Sequence, residues 1–359
     1  MKILVLGGGA QGRVIGSDLA RSLPDADVRV ADLRLPKLPA LPNLSALEID
    51  FDDATATARL LHEHDIAVGA LPARLGFGLM HAAIDARRHL VDVSFAAEDP
   101  LELDAAARAA GVTIVPDCGL APGLSNLIVG RAATARGMPS EVEIMVGGVA
   151  QDPSRPYGYV VTWSLDDLIE EYTRPARIVR EGQATTVPVF SGLERVQVQG
   201  VGEMEAFYSD GLRSLIQTLP EVREMGEKTL RWPGHAAAVR PLLDSNRLLD
   251  EFRRHCTAQP PHDLVAFVVR VRWNGKGEET TMVERYDPAT GLTAMSRTTA
   301  LTTSVVAQYA ARRGLAPPGV RPLERMAADE AFGRFVVDAL AERGVRLSTV
   351  PLGPRTKPA

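Results

Sequence analysis

Several features are scarce in this 359-residue sequence, and each scarcity excludes a class of protein. There are only two cysteines, Cys118 and Cys256, too few for a disulfide framework, so a reducing, cytoplasmic location is expected. No apolar run reaches the roughly 20 residues that cross a bilayer, and the N-terminus predicts a strand rather than a signal peptide. A net charge of −5 gives no reason to expect nucleic acid or an anionic membrane as a partner.

Metal-ligand spacing is scarce as well. His62 and His64 are spaced as a ligand pair can be, but they fall at the end of a predicted helix from Ala54 to His64. Solvated side chains at a helix terminus are the simpler interpretation. No metal site is therefore predicted.

The first stretch, from Met1 to Asp32, predicts a dinucleotide-binding unit. An apolar strand enters the turn GGGAQG, which a helix and a second strand follow. Gly7 permits the tight turn, Gly9 lets backbone approach a pyrophosphate, and Gly12 lets the helix pack on the strand. Free N–H groups at the helix N-terminus would bind the phosphates. The residues expected to bind the cofactor here are Gly7, Gly9, Ala10, Gln11 and Gly12.

Asp32 lies twenty residues after Gly12 and predicts which dinucleotide binds. Its carboxylate can accept both ribose hydroxyls and would repel a 2′-phosphate, so NAD is expected rather than NADP. The fingerprint alone does not separate NAD from FAD, and a glycine turn that binds nothing is the other alternative. The proline-rich segment that follows, from Leu33 to Asn43, is expected to form an extended loop near the adenosine, with Leu33 in contact with the cofactor.

Short apolar strands and helices alternate up to Val115, which predicts an α/β fold with a parallel, doubly wound Rossmann sheet. The predicted elements include a strand from Leu47 to Phe51 and a helix from Gly78 to Arg88. Ligands of such sheets bind at the carboxyl ends of the strands. Residues that follow later strands are therefore expected to line the cofactor, and these are Leu71, Pro72, Ser94 and Cys118. For Cys118, a small buried apolar residue is the alternative.

From Glu141 the pattern changes to two-residue alternation with hairpin signals such as Asn274-Gly275. It predicts an α+β substrate domain built on a largely antiparallel sheet. We predict an NAD-binding Rossmann domain over 1–134, a substrate and dimerisation domain over 135–295, and C-terminal helices over 296–359 that return to the Rossmann domain. The substrate, a small molecule, is expected between the domains, and a homodimer or dimer of dimers is expected. The tail from Pro351 to Ala359 is expected to fray.

Distinctive short motifs recur along the chain. They are DCGLAPGLSN (117–126), TWS (162–164), EYTRP (171–175), EMEAFYSDG (203–211), KTLRWPGH (228–235) and MSRTT (295–299). With the N-terminal turn, they resemble the saccharopine dehydrogenase-like superfamily, and within it the lysine 6-dehydrogenases. Saccharopine reductases have a motif that resembles LDPG at the position where this sequence has Leu120-Ala121-Pro122-Gly123. The missing aspartate disfavours a glutamate-linked substrate.

The resemblance implies oxidative deamination of the ε-amine of L-lysine with NAD. The product would be a semialdehyde that cyclises to a piperideine carboxylate, with release of ammonia. Two alternatives stay open: a saccharopine- or carboxyalkylamine-type reductase, and a non-catalytic NAD-binding regulator. Turnover of lysine, ornithine or diamines with NAD would separate the dehydrogenase from the regulator.

The implied chemistry needs a base for the amine and again for the water that adds to the imine. Lys228 and His235 are the candidates, since burial beside a nicotinamide cation would lower the pKa of Lys228. The alternatives are a surface ion pair for Lys228 and a turn histidine for His235. Asp117 is expected to face the substrate amine, with Glu205 and Asp210 as alternates.

A substrate carboxylate would be clamped by Arg174 or Arg231, unless these arginines are structural. Further residues of the motifs are expected to line the substrate pocket, namely Tyr172, Thr173, Phe207 and Asp210. For the aromatic residues, and for Tyr157, ordinary core packing is the alternative.

Overall fold

Short apolar runs punctuated by glycine and proline form alternating strands and helices in the first third of the chain. The computed structural model describes residues 1–353. The first elements are β1 (Lys2–Leu6), α1 (Ala10–Ser22), β2 (Asp27–Asp32), β3 (Leu44–Glu48), α2 (Ala54–Glu63), β4 (Ile66–Gly69), α3 (Ala73–Asp85), β5 (His89–Asp92), α4 (Asp104–Ala110) and β6 (Thr113–Val115).

Longer strands and a hairpin-rich texture follow. These elements are α5 (Leu124–Arg136), β7 (Glu141–Ala150), α6 (Leu165–Thr173), β8 (Ala176–Arg180), β9 (Gln183–Val187), β10 (Glu194–Val198), β11 (Gly202–Tyr208), α7 (Leu215–Thr218), β12 (Glu224–Arg231), α8 (His235–Asp244), α9 (Leu248–His255), β13 (Asp263–Trp273) and β14 (Lys276–Arg285). The last elements are α10 (Leu301–Arg313), β15 (Gly319–Val320), α11 (Leu323–Met326), α12 (Glu330–Glu342) and β16 (Ser348–Leu352).

The first sheet has the strand order β15-β6-β5-β4-β1-β2-β3, and each pair in it is parallel. The order reverses between β1 and β4, where doubly wound sheets bind their ligands. The two central strands are almost fully buried, since β1 from Ile3 to Leu6 and all of β4 contact core on both faces. The predicted parallel Rossmann sheet is confirmed.

The second sheet has the order β10-β11-β12-β7-β13-β14-β16, with the β8–β9 hairpin attached to β12. Its neighbours are antiparallel except for β12 and β7, which run parallel. One face of this sheet carries a core rich in aromatic residues, including Tyr172, Phe190, Phe207 and Phe252. We call it the aromatic face. The predicted α/β architecture with a largely antiparallel second sheet is confirmed.

The chain forms two compact units, Met1–Leu127 with Thr298–Arg343, and Ile128–Arg297 with the chain from Gly344. The prediction assigned all of 296–359 to the first domain, whereas β16 pairs with β14 of the second sheet. Pro351 and Leu352, expected to fray, lie in that strand, because β14 offers a free edge to pair with. Gly353 follows the strand and accepts from the Arg272 guanidinium, and the remaining residues of the predicted frayed tail, 354–359, lie outside the described residues.

Some element boundaries differ from the predictions, at one place because of a proline and at another because of strand pairing. Helix α3 begins at Ala73 because Pro72 occupies its N-cap, although the pattern predicted a start at Gly78. The strand predicted from Leu47 to Phe51 lies earlier, as β3, because Leu44 pairs with Val28 of β2. Residue-level periodicity therefore predicted the elements better than their ends.

Candidate functional site

The glycine turn after β1 is shaped by two contacts that leave no room for a side chain. A Cβ on Gly7 would lie 2.2 Å from the carbonyl oxygen of Ala70, and a Cβ on Gly12 would lie 1.7 Å from that of Gly7. Gly7 also has φ +105°, a conformation that only glycine adopts readily. A Cβ on Gly9 would meet no described atom within 4 Å. Internal packing thus explains Gly7 and Gly12 but not Gly9.

The N-terminus of α1, which begins at Ala10, opens at this turn. Gly9 occupies the N-cap, and no side chain among the described residues caps the helix. The amide nitrogen and oxygen of Gln11 are both buried and have no hydrogen-bond partner within residues 1–353. Unpaired N–H groups and a buried polar side chain are the features that a bound pyrophosphate would satisfy.

Asp32 closes the other side of the turn. Its Oδ2 accepts the N–H of Gly8 at 2.5 Å, and its Oδ1 accepts the N–H of Arg34 at 3.3 Å. A carboxylate oxygen has capacity for further hydrogen bonds, so both oxygens remain suitable for ribose hydroxyls. Leu33 and Leu35 beside it are 57% and 60% exposed, an apolar surface of the kind that an adenine ring covers.

The residues at the ends of β4 and β5 differ in accessibility. Leu71 is buried, Pro72 is exposed at the N-cap of α3, and Ser94 is buried. The hydroxyl and N–H of Ser94 both donate to Oδ1 of Asp92. The Ser94 side chain is therefore bonded inside the unit, and contact with the nicotinamide, as predicted, would need that hydroxyl to turn away from Asp92.

Asp92 is a buried carboxyl at the carboxyl edge of the first sheet. Burial raises its pKa to about 7, with Asp117 adding repulsion and the hydrogen bonds of Ser94 opposing it. Burial also raises the pKa of the Cys118 thiol well above its usual value, and the negative charges of Asp92 and Asp117 raise it further. Cys118 is thus an inert buried thiol, as its alternative interpretation held. Asp117 is 4% exposed, and its role toward the substrate amine stays a prediction.

Lys228, the first predicted base, is held as a cation on the face of β12 opposite the aromatic face. Its Nζ donates to Oε1 of Glu143 at 3.2 Å and to Oε1 of Glu194, and lies 5.1 Å from the ring centre of Tyr208. Burial alone would lower the pKa of Lys228, but the two carboxylates raise it above its usual value. The predicted lowering of this pKa is therefore wrong in direction, because the ion pairs outweigh desolvation.

His235, the second predicted base, is buried at the start of α8. Its Nε2 lies 2.8 Å from the hydroxyl of Tyr172, and its Nδ1 lies 2.7 Å from the carbonyl oxygen of Tyr157. Burial and the nearby Arg231 guanidinium lower the pKa of His235 to about 3. Because a carbonyl only accepts, Nδ1 carries the proton and Nε2 accepts from Tyr172. Both ring nitrogens of this neutral imidazole are hydrogen-bonded within the second unit, so neither is accessible to a substrate as a base.

Arg231, predicted to clamp a substrate carboxylate, is bonded within the second unit. Its Nε donates to the hydroxyl of Tyr172 at 2.8 Å, its Nη1 to the carbonyl of Leu230 at 2.9 Å, and its Nη2 to Oε1 of Glu171 at 3.1 Å. The guanidinium also stacks over the rings of Tyr159 and Tyr172. It is the structural arginine of the alternative interpretation, because each guanidinium nitrogen already has a partner.

Other predicted substrate residues also have internal partners. Asp210 binds the guanidinium of Arg177 through both oxygens, at 2.8 and 2.9 Å. Arg174 pairs with Glu170 one turn earlier, and the hydroxyl of Thr173 bonds carbonyls of its own helix. Each of these side chains therefore has a partner within the second unit, and their roles toward a substrate stay predictions.

The remaining alternates have structural partners as well. Glu205 accepts the N–H groups of Gly234 and Ala236, at 2.9 and 2.5 Å, and so caps helix α8. Phe207 is fully buried and packs on Phe190 with ring centres 4.7 Å apart. Tyr172 is also fully buried, so core packing accounts for both rings.

The structure reveals a connected set of polar groups that the motif interpretation missed. On the aromatic face, Glu171, Thr229, Ser209 and Glu227 form one line of hydrogen bonds. Each lies in or beside a quoted motif, because Glu171 opens EYTRP and Glu227 precedes KTLRWPGH. Attention to carboxyl groups within those motifs, rather than to cations, could have found them.

Metal ligation has no candidate among residues 1–353, where no group of three or more His, Cys, Asp or Glu side chains could hold an ion. His62 is exposed, but His64 is buried at the C-cap of α2 with Nδ1 2.7 Å from the carbonyl of Leu60. The solvated interpretation therefore holds for His62 and is wrong for His64, whose ring bonds its own helix. Within the same residues, none of the helices is sufficiently long and apolar to cross a membrane.

Two family models match consecutive parts of the chain. The saccharopine dehydrogenase NADP binding domain matches residues 3–115, and the saccharopine dehydrogenase C-terminal domain matches residues 119–345. The chain belongs to the saccharopine dehydrogenase family. The glycine turn is accordingly that of a nicotinamide dinucleotide-binding domain, rather than of an FAD enzyme or a turn that binds nothing.

Curated relatives include saccharopine dehydrogenases (NADP(+), L-glutamate-forming) from two yeasts. The Saccharomyces cerevisiae protein is 25% identical over 69% of this chain, and the Schizosaccharomyces pombe protein is 24% identical over 72%. The match spans 59% and 61% of those relatives, and 48% of the Pyricularia oryzae protein. The family is thus shared, while the match leaves a large part of each relative's length uncovered.

A solved structure has the same fold. Apo saccharopine dehydrogenase (L-Glu forming) from Saccharomyces cerevisiae superposes with a TM-score of 0.75, covering 98% of this chain and 100% of that chain. The sequence identity is 16%, so this likeness shows the fold alone.

Proposed function

We infer that this protein is an NAD-dependent dehydrogenase that oxidatively deaminates the ε-amine of L-lysine. The product would be the semialdehyde, which cyclises to a piperideine carboxylate, and ammonia would be released. The observation that carries the proposal is the glycine turn of a saccharopine dehydrogenase family member, where Gly9 faces open space and the Gln11 amide has no described partner.

The residues of the turn fit the cofactor in type and position. The N-terminus of α1 and Gln11 would hold the pyrophosphate, Asp32 the adenosine ribose, and Leu33 the adenine. When bound, the nicotinamide dinucleotide would take up the hydride lost from the carbon that bears the amine. Asp32 supports NAD over NADP, because a carboxylate repels a 2′-phosphate.

The choice of substrate rests on Ala121. The motif of saccharopine reductases has an aspartate at this position. Alanine supplies no carboxylate to a longer, glutamate-linked substrate. A simple amine such as lysine makes no such demand. Lysine and ornithine differ by one methylene, worth about 1–3 kcal/mol in a pocket, so the two must be compared directly.

A saccharopine-type reaction with NADP is the second candidate. It is favoured by the names of the curated relatives and by Arg34, an exposed guanidinium two residues after Asp32. An arginine at this place can bind a 2′-phosphate. This candidate reverses both the cofactor and the substrate preference.

The experiment is a matrix of two cofactors against four substrates. Purified protein is incubated with NAD or NADP and with L-lysine, L-ornithine, a diamine or saccharopine, while reduced cofactor and released ammonia are measured. Equimolar NADH and ammonia from lysine support the proposal. Reduced cofactor from saccharopine without ammonia supports the second candidate, and binding of NAD without turnover of any substrate contradicts both.

A further inference from the structure

The aromatic face of the second sheet holds a line of hydrogen bonds that joins two carboxyl groups. Oε2 of Glu227 lies 2.6 Å from Oγ of Ser209, which lies 2.8 Å from Oγ1 of Thr229. Oγ1 of Thr229 lies 2.5 Å from Oε1 of Glu171. We call Ser209 and Thr229 the hydroxyl pair, and the four residues the relay.

Counting hydrogens shows that the relay has two states. Three contacts need three hydrogens, and the hydroxyl pair supplies two. With both carboxyls ionised, each hydroxyl donates to its own carboxylate and the Ser209–Thr229 contact has no hydrogen. With one carboxyl protonated, all three contacts are hydrogen bonds running in one direction. The geometry therefore accommodates one additional proton, at either the Glu227 end or the Glu171 end.

The surroundings favour the Glu227 end when that proton is present. Burial raises the pKa of Glu227 to about 8; the carboxylates of Glu171 and Asp210 add to the shift, while the Ser209 hydroxyl and the Gly211 N–H oppose it. Asp210 is paired with Arg177, and Glu171 with Arg231, so both face Glu227 as anions. Glu227 is therefore the member that releases its proton only above neutral pH.

The relay opens to solvent at Glu171. The side chain of Glu171 is 18% exposed, whereas Glu227, Ser209 and Thr229 are buried. Arg231 and Thr229 bind the same oxygen, Oε1. An ammonium group is the natural partner for a carboxylate at the open end of such a line.

We propose that Glu171 takes a proton from the substrate amine and passes it through the hydroxyl pair to Glu227. This inference rests on the function proposed above. It supplies the base that Lys228, a paired cation, and His235, a locked neutral ring, do not provide.

The proton movements balance. An N–H bond of the substrate ammonium breaks, an O–H bond forms on Glu171, and the hydroxyl pair reverses so that Glu227 gains a proton. After the hydride has left and water has added to the iminium carbon, releasing one proton to solvent, the relay reverses. Glu171 then protonates the nitrogen of the carbinolamine. The C–N bond breaks as the aldehyde C=O forms, and the departing ammonia takes the hydroxyl proton to become ammonium. The relay ends with the protons with which it began.

The central test is Glu227→Gln, because glutamine can donate to Ser209 and keep the filled line but cannot take up a proton. Between pH 7 and pH 9, kcat for lysine should rise about tenfold more in the wild type than in the variant. Tenfold is the factor expected for one ionisation near pH 8. Ser209→Ala should remove the same step. Ser191→Ala removes an exposed hydroxyl that bonds only a local carbonyl and should keep it.

A second readout does not depend on turnover. The infrared difference between wild type and Glu227→Gln should show the C=O stretch of one protonated carboxyl at pH 7, which disappears with a midpoint near pH 8. Asp92, whose pKa is raised to about 7, contributes equally to both proteins and cancels in the difference. A wild-type protein without this band, or variants whose pH–rate profile matches the wild type while lysine is oxidised, would overturn the relay and leave the proposed function intact. NAD binding without turnover of any amine would remove both, so the two failures are distinguishable.

Discussion

The glycine turn of the first unit and the polar network of the second treat their polar groups in opposite ways. At the turn, the Gln11 amide and the N-terminus of α1 have no described partner, and the space beside Gly9 is open. On the aromatic face, Arg231, Tyr172 and His235 bond one another or nearby carbonyls. The difference teaches that a motif shared with a family can mark buried framework as readily as ligand contact.

The largest expected effect comes from breaking the network. Arg231→Met should lower the free energy of unfolding by about 3–5 kcal/mol. The carboxylate of Glu171 loses its ion-pair partner, and the hydroxyl of Tyr172 loses a hydrogen-bond donor. Urea unfolding measures it. Arg195→Met, which removes an exposed pair with Glu203, should cost less than about 1 kcal/mol. Equal costs for the two variants would contradict the structural role of Arg231.

Gly12→Ala should have the next largest effect. Its Cβ would lie 1.7 Å from the carbonyl oxygen of Gly7, so strand and helix must separate, at about 1–3 kcal/mol or more. Calorimetry of the variant should show a lower melting temperature for the unfolding of the first unit. An unchanged melting temperature would show that the turn is less tightly packed than described.

How far the sequence predicted these two regions follows from the range of the interactions. The glycine turn is largely local: Gly12 packs on Gly7 and Asp32 bonds Gly8 within one strand-helix-strand unit, so spacing alone identified these positions. The contact of Gly7 with Ala70, at the end of β4, is the long-range exception. The partners of Arg231 and Asp210 come from other elements, α6 and β8, and no spacing reveals such pairings.

The same limit applies to pKa values. The sequence predicts a lowered pKa for Lys228 from burial and a neighbouring nicotinamide cation, because its carboxylate partners are not visible in the sequence. Its pairing with Glu143 on β7 and Glu194 on β10 depends on four adjacent strands, in the order β10-β11-β12-β7. The sign of the shift was therefore decided by residues far away in sequence.

His235 links the network to pH. Its pKa in the folded protein, about 3, lies below the ordinary 6.5, so the unfolded chain binds the proton more readily as the pH falls. The contribution of His235 to the free energy of unfolding is therefore fully present above pH 6.5. Below that pH it should fall by about 1.4 kcal/mol per pH unit, until the pKa of the folded protein is reached. His235→Gln, whose amide can bond both partners, should lose this contribution in urea titrations at pH 6.5 and 5.5. His81→Gln, at an exposed position, should behave as the wild type.

Gly9→Ala tests the open side of the comparison. Since its Cβ would meet no described atom, the melting temperature should be unchanged, whereas the Kd for NAD should rise by about tenfold if the pyrophosphate approaches there. Gly78→Ala is a matched control, because its Cβ also meets open space but lies on α3 away from the turn. Titration calorimetry that finds equal NAD affinity in both variants would argue against a cofactor at Gly9.

Asp32→Ser should give the smallest effect, but that effect is specific to cofactor preference. Serine keeps an oxygen near the N–H of Gly8 but removes the charge, so the ratio of NAD to NADP affinity should fall by several-fold with little change in stability. Asp50→Ser, which removes an exposed carboxylate near the end of β3, should leave the ratio unchanged. If the wild type already prefers NADP and Asp32→Ser changes nothing, Arg34 rather than Asp32 decides the cofactor, and the first unit resembles its NADP-dependent relatives in chemistry as well as in fold.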